Sequence, residues 1–322
     1  MTSMRVAPRP FPFLRAAREE TRPGNRNARA RGFALVAVLW IVAALTVLVA
    51  GLLTLSRGEI QETQVRLDSG QAAALGDAAI QLAVLDWASA DTPQDRLRRA
   101  HYTFENMDIE VEIIPSTGLI DLNNASESLL HALFVHAAGL EPAHATQLAQ
   151  RVIDWRDTDD APLPQGAEAD AYLAAGVNWR PRNTPFLVPE DLLQVLGVDF
   201  DLFARIENLI TVWGGRNGVN PMAAPMSVLI VLCQGDTSEA ARIATARDAG
   251  ETGIDTTTLE QTHLMAGNMG NIFHILASAP MDAGRRAVRG RWVLLQADGD
   301  GTPWQTIRAE AVRFAVPAPE TF

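Results

Sequence analysis

The chain contains a single cysteine, Cys233, among its 322 residues. An intramolecular disulfide is therefore excluded, and the cellular compartment has to be inferred from other features. Because Cys233 ends an apolar run, it is expected to be a small buried hydrophobe and not a reactive thiol. Glycine (23 residues) and proline (18) are too scarce for a low-complexity chain, and a hydrophobic content of 48% predicts a globular fold.

Basic residues are scarce beyond the N-terminal segment. The net charge is -11, although residues 1–32 hold eight arginines against two glutamates. Residues 118–150 contain no lysine or arginine. A nucleic-acid-binding surface needs a basic footprint that displaces counterions from phosphates. The acidic body therefore argues against nucleic acid as a partner.

Catalytic motifs are also missing. The sequence has no Gly-x-Ser-x-Gly, His-Glu-x-x-His or phosphate-loop motif. His131, His136 and His144 are spaced by five and eight residues, so they do not line up on one helix face as ligands four residues apart would. We therefore expect a protein that is not an enzyme.

One long uncharged segment lies near the N-terminus. Residues 33–56 form 24 consecutive uncharged positions, and a helix rising about 1.5 Å per residue would span a bilayer core of about 30 Å over that length. Arginines precede this segment and Glu59 and Glu62 follow it, so the positive-inside rule places the N-terminus in the cytoplasm. The sequence predicts a single-pass membrane protein whose C-terminal domain faces the periplasm or the exterior; the resemblances described below imply the bacterial inner membrane and the periplasm.

The residues just before the apolar segment differ from an ordinary secretory signal, in which cleavage follows a short apolar core. Here an arginine-rich leader ends in Gly32, directly before Phe33. This order resembles the class III signal of type IV prepilins. The resemblance implies that prepilin peptidase removes residues 1–32 and that Phe33 becomes the new, usually N-methylated, first residue. The alternative is a signal anchor that is never cut.

The periodicity beyond this segment predicts the remaining architecture. A helix is expected to continue to about residue 89, and Asp91-Thr92-Pro93 predicts a short new helix through Arg99. Strands are predicted at residues 108–114, 272–279, 287–296 and 306–314, the last two joined by a turn at 298–301.

This order predicts an α+β fold, in which a pilin-like long N-terminal helix packs on an antiparallel sheet. A large all-α domain, SAM-like or helix-hairpin-helix-like, is inserted between the strands. The expected segments are a leader (1–32), a membrane and core helix (33–99), a sheet (100–117 and 270–322) and the inserted helical domain (118–269).

The inserted domain contains an internal repeat. Residues 121–130 align with residues 220–229 at an offset of 99, each with a polar capping position followed by alanine and an apolar helix. Residues 185–197 predict a third capped helix that ends at a glycine.

Several motifs of this region occur together in one known family. They are Gly-Leu-Ile-Asp-Leu-Asn-Asn-Ala (118–125), Ile-Asp-Trp-Arg-Asp-Thr-Asp (153–159), Gly-Ala-Glu-Ala-Asp-Ala-Tyr (166–172), Arg-Asn-Thr-Pro-Phe (182–186) and Ile-Thr-Val (210–212). In this order they resemble the general secretion pathway protein K family, the minor pseudopilins of type II secretion. Met222 and Ala223 depart from the family's second repeat.

The resemblance implies a structural role. Members of this family join the I and J minor pseudopilins and other pseudopilus subunits in a tip complex that starts the pseudopilus, for protein export across the outer membrane. Most pilin-like subunits carry a glutamate at the fifth mature position, which can neutralise a neighbour's N-terminal amine. Here that residue is Ala37, which fits a subunit at the tip.

Acidic residues cluster after the Ile-Asp-Trp motif. Asp157, Asp159, Glu168 and Asp170 are the candidate metal ligands. Clustered carboxylates repel one another unless water or a cation lies between them, and an irregular oxygen-rich loop suits calcium better than magnesium. The family resemblance implies calcium in the helical domain. A solvated loop without a cation is the alternative.

A second class of function remains open from the sequence. A membrane-anchored periplasmic binding protein for DNA or a polymer could use the same helix-hairpin-helix-like units. It would keep an uncut leader and would not depend on partner pseudopilins.

Overall fold

The computed structural model describes residues 27–89, 95–104, 107–251, 253–265, 270–281, 285–295 and 304–315. The chain divides into two compact units, residues 1–65 and residues 66–322. Residues 1–26 of the predicted leader and the predicted turn at 298–301 lie outside the described residues.

A 63-residue helix, α1 (Asn27–Ser89), begins in the first unit and covers the helical course predicted for residues 33–89. Within the first unit its side chains are described for residues 35–49. Large apolar side chains there are exposed, including Leu35, Trp40 and Val47, each at 73% or more. Among the described residues, no helix combines the length and the hydropathy of a membrane span.

The remaining helices and strands belong to the second unit. In chain order they are β1 (Arg98–Phe104), β2 (Met107–Pro115), β3 (Ile120–Asp121), α2 (Glu127–His136), α3 (Pro142–Arg156), α4 (Ala169–Ala174), α5 (Phe200–Ile206), β4 (Ile210–Thr211), α6 (Met226–Leu232), α7 (Thr237–Asp248), β5 (Ile272–Pro280), β6 (Arg286–Leu295), β7 (Trp304–Ala309) and β8 (Arg313–Ala315). Short 3₁₀ helices occur at Ser116–Gly118, Pro189–Gln194 and Gln261–His263.

The main sheet is antiparallel, with the strand order β1-β2-β5-β6-β7 and with β8 also paired to β6. Alternate side chains of β2 are buried, beginning with Ile109 and Val111, because successive side chains of a strand point to opposite faces. The second half of α1 packs on this face. Ile80 and Trp87 of α1 are buried there, and Trp87 meets Phe273 edge-on at 4.1 Å. Mixed helices and an antiparallel sheet agree with the predicted fold class.

The segment between β2 and β5 is mainly helical and has its own core. Its internal repeat is confirmed, since α2 and α6 begin at Glu127 and Met226, the predicted 99 residues apart. The same side-chain turn precedes each helix. Asp121 Oδ1 accepts a hydrogen bond from the Asn123 N–H at 2.9 Å, and Asn220 Oδ1 accepts one from the Met222 N–H at 3.0 Å. The departure at Met222 is tolerated because only its backbone takes part.

Three local predictions were wrong. The helix expected through Arg99 is not formed by the described residues 95–99, because β1 begins at Arg98 and pairs with β2 along its whole length. The single strand expected at 306–314 is two strands, β7 and β8. The helix expected at 185–197 is a 3₁₀ helix over Pro189–Gln194, with an extended residue on each side.

Ion pairs join the helical segment to the sheet. Arg308 of β7 pairs with Glu190 of a 3₁₀ helix, and Arg313 of β8 pairs with Glu207 at 2.5 Å. At the opposite edge, the Leu97 N–H donates to the Met222 carbonyl at 3.0 Å. The helical segment is therefore attached to the sheet at both edges.

Candidate metal centre

The acidic loop begins where α3 ends. Pro142 at the first turn suits a helix start, because its missing N–H would have no helical partner there. The buried side of α3 includes Leu148, Val152 and Trp155. The helix stops at Arg156, and Asp157 has extended backbone dihedral angles. The first acidic side chain of the loop is thereby fixed to the end of a packed helix.

Three of the four predicted ligands meet in space. Oxygens of Asp157, Asp159 and Glu168 all lie within 4.8 Å of one another. Asp170 is exposed in the first turn of α4 and is not part of this group. The described group therefore contains three carboxylates, two from the start of the loop and one from its end.

The carboxylate of Glu168 is the most unusual feature of the group. Glu168 is only 7% exposed, and within the described residues neither of its oxygens has a hydrogen-bond partner. Asp157 Oδ1 is likewise buried without a partner. Burying a charged group without a partner is costly. A cation would supply the partner that these three oxygens lack among the described residues.

The electrostatics of the cluster agree with this geometry. Burial, together with the nearby charges of Asp154 and Asp157, raises the pKa of Glu168 to about 7. Burial and the charges of Asp159 and Asp154 also raise the pKa of Asp157. Both shifts mean that the ionised carboxylates are destabilised where they lie, and a nearby cation would reverse that effect.

A second set of contacts closes the loop onto α3. Asp154 is fully buried, and its carboxylate accepts hydrogen bonds from the backbone N–H groups of Leu163, at 3.2 Å, and Ala167, at 2.7 Å. Gln150 accepts from the N–H of Gln165 at 2.7 Å. The loop therefore returns to the helix that it left, which places Glu168 opposite Asp157. Asp154 was not among the predicted site residues, although it belongs to the Ile-Asp-Trp motif.

The residues present fit a hard divalent cation. Calcium binds six to eight oxygen ligands and accepts irregular geometry, and this cluster offers only carboxylate oxygens. A cavity of about 670 Å³ adjoins Glu168 and is also lined by Asp160, Arg180 and Asn183, which provides access from solvent.

The processing residues predicted from the sequence lie on α1. Gly32 and Phe33 are within the helix, where only the backbone is described. Ala37 is also on α1 and is partly exposed.

Known proteins resemble this chain most clearly in the segment that contains the acidic loop. The family model for type II secretion system (T2SS) protein K matches residues 117–215, a segment that contains the whole acidic loop. The chain resembles type II secretion system protein K. This confirms the resemblance predicted from the sequence motifs.

Individual protein K sequences agree with the family match. The type II secretion system protein K of Klebsiella pneumoniae is 28% identical over 201 residues, and that of Pectobacterium carotovorum subsp. carotovorum is 28% identical over 204 residues. Each alignment covers 56% of this chain and 62% of the relative. The protein of Dickeya chrysanthemi is 32% identical over 106 residues, covering 31% of this chain and 28% of the relative. The chain therefore spans less than two thirds of the length of these protein K relatives.

A solved structure was also found, the crystal structure of the GspK-GspI-GspJ complex from the enterotoxigenic Escherichia coli type 2 secretion system. The TM-score is 0.46 at 16% identity, with 79% of this chain and 98% of that chain covered. At this TM-score the likeness carries no weight for the function of the chain.

Proposed function

We propose that this chain is a minor pseudopilin of a type II secretion system, a structural subunit and not an enzyme. The match to protein K over residues 117–215 carries this proposal. The matched segment holds the acidic loop and the first helical hairpin, so the likeness includes the part of the chain with the most distinctive geometry. In this role the chain acts by assembling with other subunits.

The first unit serves as the membrane anchor in this proposal. The exposed apolar side chains of α1 over residues 35–49 would be costly in water, since each large apolar side chain gains about 1.5–3 kcal/mol on full burial. Lipid or apolar helices of neighbouring subunits would cover them. The N-terminus then lies in the cytoplasm and residues 66–322 face the periplasm, with prepilin peptidase removing residues 1–32.

The absence of a carboxylate at position 37 supports a place at the pseudopilus tip. Ala37 lies between Val36 and Val38, both more than half exposed, so this part of α1 offers no acidic partner for the N-terminal amine of another subunit. A tip subunit has no need of one. In this position the chain joins minor pseudopilins I and J and initiates pseudopilus assembly.

The acidic loop binds calcium in this proposal. The unpartnered, buried oxygens of Glu168 and Asp157 support it, as does their spacing from Asp159. Calcium would remove the repulsion among these carboxylates and hold the loop between α3 and α4 in one conformation.

The N-terminus provides the decisive experiment. The chain contains no lysine, so its α-amino group is its only aliphatic amine, and a dye that reacts with primary and secondary amines labels that group alone. Full-length protein should be extracted from cells with and without prepilin peptidase, and its intact mass and labelled N-terminal peptide determined. We expect a start at Phe33, with an added methyl group, only when the peptidase is present.

Two glycine variants make the test specific. Gly32→Val should block processing, whereas Gly24→Val, a matched change within the same leader, should leave it intact. Retention of residues 1–32 in both strains would overturn the pseudopilin proposal and favour an anchored periplasmic binding protein.

A further inference from the structure

Asn183 has an unusual backbone conformation beside the acidic loop. Its φ angle is +51°, in the left-handed region that most residues other than glycine avoid, although asparagine tolerates it better than most. Its backbone N–H donates to the Trp155 carbonyl at 3.1 Å. The residue is therefore attached to the last turn of α3, directly before the first acidic side chain of the loop.

The side chain of Asn183 bonds the first part of the loop. Its Nδ2 group donates to the backbone carbonyl of Asp159 at 2.8 Å and to Asp160 Oδ1 at 2.9 Å. Both partners accept hydrogen bonds, and a single amide nitrogen with two N–H groups satisfies them together. One residue thus connects the end of α3 to the loop at positions 159 and 160.

Asp159 is the ligand that most needs such support. Asp157 is fixed by the end of α3, and Glu168 is buried at the start of α4. Asp159 is exposed, and its contacts include the hydrogen bond from Ala161 N–H to its Oδ1, a backbone hydrogen bond to the Asp157 carboxylate, and the bond from Asn183 to its carbonyl. Of these three contacts, only the bond from Asn183 connects Asp159 to a part of the chain outside the acidic loop.

We propose that Asn183 is a positioning residue for the cation site, holding Asp159 where its carboxylate meets those of Asp157 and Glu168. This inference rests on the proposed calcium site. The same amide bonds the Asp160 carboxylate, which lines the adjoining cavity but is not part of the three-carboxylate group. Asn183 thereby determines which of two consecutive aspartates is a ligand.

Calcium affinity tests the inference directly. Full-length protein in a mild detergent should be freed of metal with EDTA, exchanged into buffer, and titrated with calcium chloride by calorimetry. Asn183→Gly keeps a backbone that accepts a positive φ but removes both side-chain donors. Loss of an outer-shell partner typically weakens metal binding 10- to 100-fold, and we expect a loss of about that size.

A matched control exists elsewhere in the chain. Gln234 also has a left-handed φ angle, +52°, and lies between α6 and α7, outside the acidic loop. Gln234→Gly makes the same kind of backbone change without touching the loop and should leave calcium affinity unchanged. If Asn183→Gly does not fold, Asn183→Ser removes the amide donors without adding a charge, and it should also bind calcium more weakly.

The melting temperature in EDTA separates positioning from a general structural role. A positioning role predicts weakened calcium binding with a metal-free melting temperature close to that of Gln234→Gly. A merely structural role predicts a lower metal-free melting temperature with unchanged affinity, and that result would overturn the inference. If the wild-type protein itself binds no calcium, the calcium site fails and the inference fails with it. If the wild type and Asn183→Gly bind calcium equally tightly, the calcium site stands and the proposed role of Asn183 is wrong.

Discussion

Gly166 lies so close to Asp154 that a Cβ atom on this glycine would come within 1.8 Å of Asp154 Oδ2. The contact exists because the Asp154 carboxylate accepts the N–H of Ala167 at 2.7 Å, which draws the backbone of the loop onto the side chain. Only a residue without a side chain fits between them. The pair therefore fixes the return of the acidic loop to α3, and it provides the first prediction.

Replacing Gly166 with alanine should destabilise the fold. The added methyl group must displace a buried carboxylate from its backbone donors, and overpacking of this kind costs about 1–3 kcal/mol. Gly70→Ala is the control, since a Cβ at Gly70 of α1 meets nothing within 4 Å and alanine favours a helix by about 0.5–1 kcal/mol. Urea unfolding of the two variants should show opposite signs. Equal stability of the two variants would mean that the backbone of the loop shifts to accommodate the added methyl group at little energetic cost.

The long helix and most of the sheet were predictable because their periodicity is strong. Alternation of Ile109, Val111 and Ile113 with acidic residues predicts β2 directly. The neighbouring strand β1 was missed because its inward side chains, such as Ala100 and Tyr102, are only half buried. Pairing with β2 determines its structure, and such tertiary effects do not appear in a local pattern.

Some residues of the candidate site were likewise predictable from the sequence, and others were not. Asp157, Asp159 and Glu168 were predictable from the density of carboxylates in one loop. Asp154 and Asn183 were not, because each acts through contacts with backbone groups 9 to 28 residues away. A sequence carries no local signal for a side chain that bonds a distant carbonyl or N–H group.

Calcium should stabilise the protein, and Glu168 should be required for this effect. At a free calcium concentration about 100 times the dissociation constant, one site adds about 2.7 kcal/mol to the free energy of unfolding. Glu168→Gln should abolish this gain. In EDTA the same variant should melt at a higher temperature than the wild type, because it removes one charge from a group of mutually repelling carboxylates.

Differential scanning calorimetry with EDTA and with calcium measures both effects. Asp170→Asn is the control, since Asp170 is exposed and outside the three-carboxylate group, and it should retain the full calcium shift. Loss of the shift in Asp170→Asn would restore Asp170 as a ligand. A calcium shift that survives in Glu168→Gln would place the cation elsewhere.

Glu310 should contribute far more to stability than Glu239, although the pKa of each is lowered to about 2. Burial alone would raise the pKa of Glu310, but the nearby imidazole of His274 and the charge of Arg313 lower it. His274 Nε2 lies 3.0 Å from its carboxylate, and Trp292 Nε1 donates to it at 3.0 Å. His274 is buried and Glu310 is partly buried, so weakening the acceptor that these donors share should cost about 1–3 kcal/mol in Glu310→Gln.

Glu239 makes the matched comparison. Hydrogen bonds from Arg242 and Thr258 lower its pKa, but the Arg242 side chain is 45% exposed, so solvent screens the pair and Glu239→Gln should cost a small fraction as much. Guanidinium unfolding of Glu310→Gln and Glu239→Gln measures the loss of unfolding free energy in each variant. A larger loss in Glu310→Gln would show that the environment of the carboxylate, and not only its charged partner, determines its contribution to stability. Equal losses would show that burial has little influence here.

His263 should lower the stability in mildly acidic solution, opposing Glu168, whose raised pKa of about 7 lets the folded chain take up a proton in the same pH range. The His263 side chain is 3% exposed, its Nε2 lies 3.0 Å from Ser128 Oγ, and burial lowers its pKa from 6.5. As the pH falls below that value, the unfolded chain takes up a proton that the folded chain does not, so the contribution to stability is present above 6.5 and is lost toward the lower folded-state pKa.

Urea unfolding at about pH 7.5 and about pH 5.5 measures this contribution as the difference between the wild type and His263→Gln. The variant can still bond Ser128 but cannot titrate, so on going to the lower pH the wild type should lose more stability, or gain less, than His263→Gln. If His263→Gln showed the same pH dependence as the wild type, the pKa of His263 would be equal in the folded and unfolded states, and the acid sensitivity would come from the carboxylates.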